Sequence, residues 1–513
     1  MAKVMDKEEI EAKTRDYERQ LREEMGLGKK NGKHFHKPKE GRWTKDQKES
    51  TTILFGGLTL AHEELAADAM RGLGYNLRPL PCPDNDSLAV GKEYGNRGQC
   101  NPTYYTVGNL VKYLKELKEA GEEDIEDRYV FVTAGACGPC RFGMYESEYR
   151  KALRDSGFDK FRVLLFQQSG GLNQTEGGDD ALELNAKFAI TLLKSIMVGD
   201  MINELGYKIR PYEVNRGQTD QVIEDAKRIM GDALRDGKSV FRSLRKVRKM
   251  FKAIPVDYTR VKPKVKITGE FWAQTTEGDG NYHMFRWLES EGAEVMVEPI
   301  GTWIEYLIWA AKQGAEDRLR IEPEKRKTIR KLKLAKVFFR NWYNLYRWAL
   351  GFKTDSLPNQ QKLADYARAY YDTHLKGGEG HLEIGKNIMA TADKHAQMVV
   401  SLKPFGCMPS TMSDGVQSRV VADYKDAIFI PIETSGDGEV NVKSRVQMKL
   451  YEARMKARQE VDELLEEKGL TMEQVREYVA KRPELSNSMR RIGEHHGIST
   501  ATNFIAEIAP KVR

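Results

Sequence analysis

Cysteine is scarce in this sequence, with five cysteines among 513 residues. So few thiols in a chain of this length exclude a disulfide-stapled secreted scaffold, because such scaffolds are small and rich in cysteine. In a reducing compartment, cysteines at close spacing serve instead as metal ligands or redox groups. Cys137 and Cys140 have such a spacing, and the other three are Cys82, Cys100 and Cys407. The cysteines are therefore the first candidates for chemistry.

Long apolar runs are also missing. The most apolar stretch, residues 188–202, is interrupted by Lys194 and is too short to cross a bilayer. Residues 1–50 are charged and contain no apolar block typical of a secretory signal. We therefore expect no membrane span and a cytoplasmic location.

The sequence has neither a G-x-x-x-x-G-K-[ST] phosphate-binding loop nor a strong excess of charge. Without that loop, the chain is not expected to hydrolyse ATP or to bind a nucleotide directly. A net charge of +7 over 513 residues is too small to indicate nucleic acid binding. The 40% hydrophobic and 31% charged residues are typical of a globular chain that is long enough for two or three domains.

Strand and helix patterns alternate along most of the chain, which indicates parallel sheets covered by helices on both faces. Buried-strand patterns occur in two series, at 51–57, 129–133 and 161–166 and then at 264–270, 294–298, 397–402 and 427–432. The predicted fold is α/β, with two doubly wound parallel-sheet domains, a helical insert and helical N- and C-terminal extensions. The predicted segments are a charged extension (1–50), a first domain (51–255), a second domain (256–455) with its insert at about 302–395, and a helical tail (456–513).

The segments that contain four of the cysteines share one local pattern. Cys100 lies in GQCNPT, Cys137 and Cys140 lie in GACGPCRFG, and Cys407 lies in PFGCMPST, each before a predicted helix. The carboxyl ends of parallel strands form the ligand crevice of a doubly wound sheet, and helix N-termini there offer unpaired N–H groups. Both features favour thiolates and an anionic cluster. We therefore predict that these four cysteines are ligands of an iron–sulfur cluster.

Two other interpretations of the close pair stay open. Cys137 and Cys140 are also compatible with a redox dithiol or with half of a zinc site, although a zinc site usually joins two close couples. Here the remaining partners, Cys100 and Cys407, are single and distant in sequence. We expect Cys82 to be a small buried hydrophobic side chain.

Polar residues at other predicted strand ends are candidates for the walls of the site. These candidates are Gln167, Gln168, Glu270 and Glu433. A lone carboxylate such as Glu270 is more often structural than a proton carrier, so the catalytic residues stay unassigned.

Residues 325–347 contain nine basic residues and no acidic one. An apolar stripe falls on one face of the predicted helix, formed by Leu334, Phe338, Trp342, Leu345 and Ala349. Either this face packs internally and leaves a solvated basic face, or the helix is a docking surface for an acidic partner.

Seven segments together resemble one known family: TTILFGGLT, GKEYG, CNPTY, CGPCRFGMY, FQQSGGL, GEFW and FGCMPST. They are similar to the group of 2-hydroxyacyl-CoA dehydratases, benzoyl-CoA reductase subunits and double-cubane cluster proteins. Within that group they resemble in particular the dehydratase-like region associated with acyl-CoA dehydratase activases. The resemblance covers roughly residues 50–455.

The resemblance implies a cluster held between two α/β domains and a low-potential reductase or dehydratase activity in anaerobic metabolism. It also implies one-electron reduction by a separate ATP-hydrolysing activase that carries its own cluster. Double-cubane proteins need more cysteine ligands than the four found here, so we expect a [4Fe–4S] cluster held by three or four of them. A non-catalytic relay or scaffold subunit and a zinc-stabilised structural protein stay open as alternatives. The substrate and assembly as a homo- or hetero-oligomer also stay open.

Overall fold

The computed structural model describes residues 7–24, 43–135, 140–167, 182–183, 185–375, 377–493 and 496–512. Met1–Gly41 is one compact unit, in which the described element is helix α1 (Lys7–Glu24), and Arg42–Arg513 is a second compact unit. Among the described helices, none is long and apolar enough to cross a membrane.

The second unit contains two four-stranded sheets in which all neighbouring strands are parallel. The first sheet has the order β2-β1-β3-β4 and consists of β1 (Thr52–Phe55), β2 (Asn76–Pro79), β3 (Tyr129–Gly135) and β4 (Arg162–Gln167). The second has the order β6-β5-β7-β8 and consists of β5 (Lys264–Gly269), β6 (Glu294–Met296), β7 (Met398–Pro404) and β8 (Ile428–Thr434). Every residue of β5 and β7 is buried, as expected for central strands covered on both faces. The predicted α/β fold with two parallel sheets is confirmed.

Helices follow most strands and also form the insert and the tail. Those of the first half are α2 (Leu60–Arg71), α3 (Asn85–Tyr94), α4 (Asn101–Glu119), α5 (Ile125–Arg128), α6 (Tyr145–Asp155), α7 (Ala186–Ile209), α8 (Gln218–Arg235) and α9 (Val240–Lys252). Those of the second half are α10 (Phe271–Thr275), α11 (Met284–Ser290), α12 (Ile300–Asp317), α13 (Lys325–Ala349), α14 (Gln360–Ala367), α15 (His381–Ala392), α16 (Met408–Asp423), α17 (Glu439–Lys468), α18 (Met472–Ala480) and α19 (Thr500–Ile508).

The most extensive hydrophobic core lies between helices rather than against a sheet. It combines side chains from α2, α7, α8 and α9 with side chains from the insert helix α13 and from α17 to α19. Met201, Tyr343 and Phe504 are buried members from three distant parts of the chain. The insert and the tail therefore share one core with helices of the first α/β region.

One buried carboxylate joins three of these helices. Asp200 of α7 accepts hydrogen bonds from the backbone N–H groups of Ile300 (2.7 Å) and Gly301 (2.8 Å), in the first turn of α12. The ring of His62 in α2 lies 3.1 Å from the same carboxylate, and Gly199 leaves room for that ring because a Cβ there would overlap it. Asp200 thus satisfies helix N-terminal groups that would otherwise be buried without partners.

Three of the five residues in the predicted apolar stripe of α13 are exposed, although one interpretation of the sequence had the stripe packing internally. Leu334 and Phe338 are 71% and 67% exposed, and Leu345 is also exposed. The buried side chains of the helix are Ile329, Phe339, Tyr343, Tyr346 and Ala349, of which only Ala349 belongs to the predicted stripe. The expectation that the stripe packs internally is therefore wrong for Leu334, Phe338 and Leu345, because α13 has two apolar faces and only tertiary packing selects one.

Candidate functional site

Three of the predicted ligand cysteines stand at the start of a helix or helical turn. Cys100 precedes α4, Cys407 precedes α16, and Cys140 precedes a short 3₁₀ turn (Arg141–Met144). This N-cap position is usually taken by Ser, Thr, Asp or Asn, whose side chain bonds to the first turn. None of these three thiols makes such a capping bond. The local sequence thus places cysteine where a capping group is expected.

Hydrogen bonds hold the three cysteine loops together. Arg141, next to Cys140, donates to the carbonyl of Gly406 (3.1 Å) and to the carbonyl of Gly98. Asn101, next to Cys100, donates its backbone N–H to the carbonyl of Phe405 (3.0 Å) and its side-chain amide to the carbonyl of Thr434 (2.8 Å). Because these bonds join both sheets, the position of each cysteine depends on the other loops.

Gly406 allows the Cys407 loop to approach the Cys100 loop closely. Its φ is +77°, in the left-handed region that favours glycine, and a Cβ at this position would lie 3.3 Å from the Cα of Cys100. A larger residue would therefore be strained and would crowd the other cysteine loop.

Cys100, Cys140 and Cys407 line one cavity of about 310 Å³. The cavity lies where strands of both sheets end, since its walls include Thr133 near the end of β3 and Pro404 at the end of β7. Much of the remaining wall is aromatic and is formed by Phe142, Tyr145, Tyr149, Phe271, Trp272 and Trp303. The site is thus a crevice at the carboxyl ends of parallel strands, the usual ligand position in doubly wound folds.

Cys100 and Cys407 are buried, and Cys140 is partly exposed. Burial raises the pKa of Cys140 to about 12, and burial also raises the pKa of Cys407, with a further contribution from Glu270 and Glu379. The sulfur of Cys100 lies 3.2 Å from the hydroxyl oxygens of both Thr103 and Tyr145. A bound cation would therefore have to displace protons from the thiols, as metal binding to cysteine generally does.

Two carboxyl groups line the same cavity. Glu270 caps α10 by accepting the backbone N–H of Ala273 (2.9 Å), and Glu379 accepts the backbone N–H of Phe271 (2.6 Å). Burial raises the pKa of both groups, and their mutual repulsion raises that of Glu379 further. Glu383 lies behind them and accepts the hydroxyl groups of Ser410 (2.8 Å) and Ser413 (2.5 Å). The cavity thus combines thiols with acids that are shielded from water.

The other predicted site residues fall in different places. Cys137 and Gln168 lie outside the described residues, and Gln167 is described only by its backbone at the end of β4. Glu433 is exposed on β8 and is not part of the described cavity wall. Cys82 is half-buried and lines a smaller cavity of about 30 Å³, which shares part of its wall with the cysteine cavity but does not include the other cysteines.

The donor set fits an iron–sulfur cluster. Within the described part of the chain, no three His, Cys, Asp or Glu side chains lie close enough together to hold a single metal ion. The three thiols instead surround a cavity, and cysteine thiolates are the usual ligands of such clusters. Cys100, Cys140 and Cys407 are the described residues that would hold the group. Comparison with protein-family models finds no model that matches this chain, and comparison with curated proteins finds no match.

Sequence reasoning missed three neighbours of the cysteines: Glu379, Arg141 and Tyr145. Glu379 lies in the segment GGEG, where an acid between glycines is a local signal of a loop close to a ligand. Arg141 directly follows Cys140, but nothing in the sequence specifies that it bonds to loops 43 and 265 residues away. Tyr145 reads as the first residue of a helix, and only the fold brings its hydroxyl to Cys100.

Proposed function

We propose that this chain is an iron–sulfur protein that accepts single low-potential electrons and acts as a dehydratase-like or reductase component. The observation that carries the proposal is the convergence of Cys100, Cys140 and Cys407 on one cavity. The sequence resemblance adds 2-hydroxyacyl-CoA dehydratase-like chemistry and a cytoplasmic, activase-dependent system to this proposal. Cys137 is proposed as a fourth ligand on the sequence pattern alone.

The residues of the cavity have separate tasks in this proposal. A cluster held by the cysteines would supply one-electron redox chemistry at a potential set by charge, hydrogen bonds and solvent exposure. The starts of α4 and α16 favour negative charge at Cys100 and Cys407. Trp303 and Phe271 narrow the cavity and keep water from the bound group.

Glu270 and Glu379 are the groups that would contact a substrate. One carboxyl oxygen of each accepts a hydrogen bond from a backbone N–H, at 2.9 Å for Glu270 and 2.6 Å for Glu379. Both carboxyl groups are therefore oriented before a substrate binds. Burial raises the pKa of Glu270 to about 7 and also raises that of Glu379, so both carboxyl groups are suited to exchange a proton with a substrate oxygen. Positioned donors in a dry cavity are the usual means of stabilising charge that develops on a substrate.

Metal analysis tests the proposal directly. After strictly anaerobic purification and reconstitution, we expect a brown, oxygen-sensitive protein with about four iron and four sulfide per chain. Iron, sulfide and zinc are measured on the same sample. Stoichiometric zinc with no iron would contradict the proposal and support the zinc-stabilised alternative.

The exposed face of α13 is the proposed docking surface for an acidic activase. Leu334, Val337 and Phe338 are exposed on this face, one to three turns after the exposed basic residues Lys327 and Lys331. An apolar stripe beside positive charge is typical of a surface that binds an acidic partner. Two other basic residues of α13 have a different role: Lys336 and Arg340 form ion pairs of 3.5 Å and 3.0 Å with Glu305, which is fully buried.

Reversing the exposed charges tests this surface. The triple variant Lys327→Glu, Arg330→Glu, Lys331→Glu is expected to slow ATP-dependent reduction by activase, because like charges then face each other. The effect should fade as salt rises, since screening limits the reach of such charges to roughly 8–10 Å. Stopped-flow absorbance of the oxidised protein mixed with reduced activase, with and without ATP, measures the rate.

A matched control carries the same change in net charge elsewhere. Arg228→Glu, Arg235→Glu and Lys238→Glu alter exposed residues on and after α8 and are expected to leave the rate unchanged. An unaltered rate and salt response in the α13 variant would show that this helix is merely solvated. Rapid reduction without ATP would favour the electron-relay alternative.

A further inference from the structure

A second pair of cavities lies beside β6, away from the cysteines. Their volumes are about 260 and 500 Å³, and they share a wall formed by Lys208, Arg347, Asp355 and Arg491. We call this pair the cationic cleft. Lys264 and Glu294, the first residues of β5 and β6, belong to its lining, whereas the cysteine cavity lies at the opposite end of β5. The two sites share no lining residue among those described.

Positive side chains dominate the cleft. Nine lysine and arginine side chains line it, against five carboxylates. Several of these cations already have acidic partners: Lys266 and Lys386 pair with Glu298, Lys208 pairs with Glu204 and Asp355, and Lys362 pairs with Asp393. Three cations of the cleft make no ion pair with a described residue: Arg347, Lys353 and Arg491.

Among these cations, Lys353 has the greatest need of an anionic partner, because it is only 9% exposed. Its ammonium group donates to the hydroxyl of Tyr258 (2.9 Å) and to the carbonyl of Arg490 (2.9 Å), both of which are neutral. In the part of the chain that the structure describes, Lys353 forms no ion pair. Burial lowers the pKa of Lys353 to about 7, because an ammonium group is unfavourable away from water.

Two guanidinium groups face the same space. Arg347 donates to the carbonyl of Thr354 (3.0 Å) and to the side-chain oxygen of Asn344 (2.7 Å), neither of which is charged. Arg491 is exposed at the rim and makes no ion pair with any described residue. Burial lowers the pKa of Arg347, the nearby carboxylates Glu204 and Asp355 oppose that effect, and the positive charge of Arg491 adds a smaller lowering. An anion between Arg347 and Arg491 would be attracted by both guanidinium groups.

Phe352 adds a strained backbone position to the cleft wall. Its φ is +57°, which is unusual for a bulky residue, and its ring lies 5.4 Å from the guanidinium of Arg347. Strain of this kind persists only where surrounding structure enforces it, and it is concentrated at ligand sites. The ring thereby forms an apolar wall beside the cations.

We propose that the cationic cleft binds a small phosphorylated anion, a phosphate ester or a diphosphate, through Arg347, Lys353 and Arg491. Phosphoryl groups carry more than one negative charge, and guanidinium groups bind their oxygens in a bidentate manner. Three cations without acidic partners match that charge better than they match a single carboxylate. The larger cavity, of about 500 Å³, is in the range of small-molecule sites, roughly 300–1,000 Å³. This site is independent of the cysteine cavity and of the function proposed for it.

Calorimetric titration of the full-length protein with sodium pyrophosphate tests the proposal, with ionic strength held constant by sodium chloride. We expect saturable binding that weakens about 10- to 100-fold in Arg491→Ala, the loss expected for a charged hydrogen bond. Because Arg491 is exposed, this variant is expected to fold normally. Lys353→Met is expected to weaken binding similarly. Arg419→Ala, which removes an exposed arginine on α16, is the control and is expected to bind normally.

Three results would overturn the proposal. The first is no saturable binding of pyrophosphate below about 1 mM. The second is equal affinity in wild type and Arg491→Ala, which would remove the assignment to this cleft. The third is citrate binding at least as tightly as pyrophosphate, which would reassign the cleft to polycarboxylates. The visible spectrum of the same samples reports on the cysteine cavity separately.

Discussion

Replacing Cys407 with alanine is expected to remove almost all of the visible absorption of the reconstituted protein. Cys407 is buried and lines the cavity together with Cys100 and Cys140, so its loss leaves a bound cluster without a thiolate on the side of the second sheet. Cys100→Ala and Cys140→Ala are expected to have the same effect from the side of the first sheet. Visible absorption and iron content after anaerobic reconstitution are the measurements, with circular dichroism to show that each variant is folded.

Cys82→Ala is the matched control for these variants. Cys82 does not line the cysteine cavity but a smaller one beside it, where its sulfur is 4.0 Å from the hydroxyl oxygen of Thr276. Its replacement is expected to leave absorption and iron content at the level of the unaltered protein. Full absorption in all three cavity variants, or loss of absorption in Cys82→Ala alone, would show that the wrong cysteines have been grouped.

Replacing Asp200 with alanine is expected to cost about 3–5 kcal/mol of unfolding free energy, the usual effect of removing a buried charged partner. Two backbone N–H groups at the start of α12 and the ring of His62 would lose their acceptor. Since Asp200 in α7 connects groups of α2 and α12, the loss affects the packing of the insert against the first α/β region. Urea denaturation followed by circular dichroism measures the change.

Two variants define the origin of that effect. Asp232→Ala removes a partly exposed aspartate of α8 that pairs with the exposed Arg235, and its expected change is within about 0.5 kcal/mol. Asp200→Asn keeps the shape of the side chain but can accept only through one oxygen, so an intermediate loss is expected. If Asp200→Ala unfolds at the same urea concentration as the unaltered protein, the contacts of Asp200 with α2 and α12 do not contribute to stability.

Much of the fold was predictable because its signals are local. The apolar patterns at 51–57 and 264–270 correspond to β1 and β5, and their alternation with helices was enough to predict two parallel sheets. The pattern could not assign the faces of α13. Both Phe338 and Phe339 are apolar, yet the first is exposed and the second is buried, because only the second meets the helical core.

The candidate site, like the fold, was predictable only in its local features. The sequence by itself determined that Cys100, Cys140 and Cys407 precede helical segments, because glycine, proline and capping positions act over a few residues. No pattern in the sequence predicted that Glu379 lies close to Glu270, or that Arg141 forms hydrogen bonds to the other two cysteine loops. Those contacts join residues that are 43 to 265 positions apart. Only the packing of the two sheets decided them, because a distance between remote residues is a property of the whole fold and not of any local pattern.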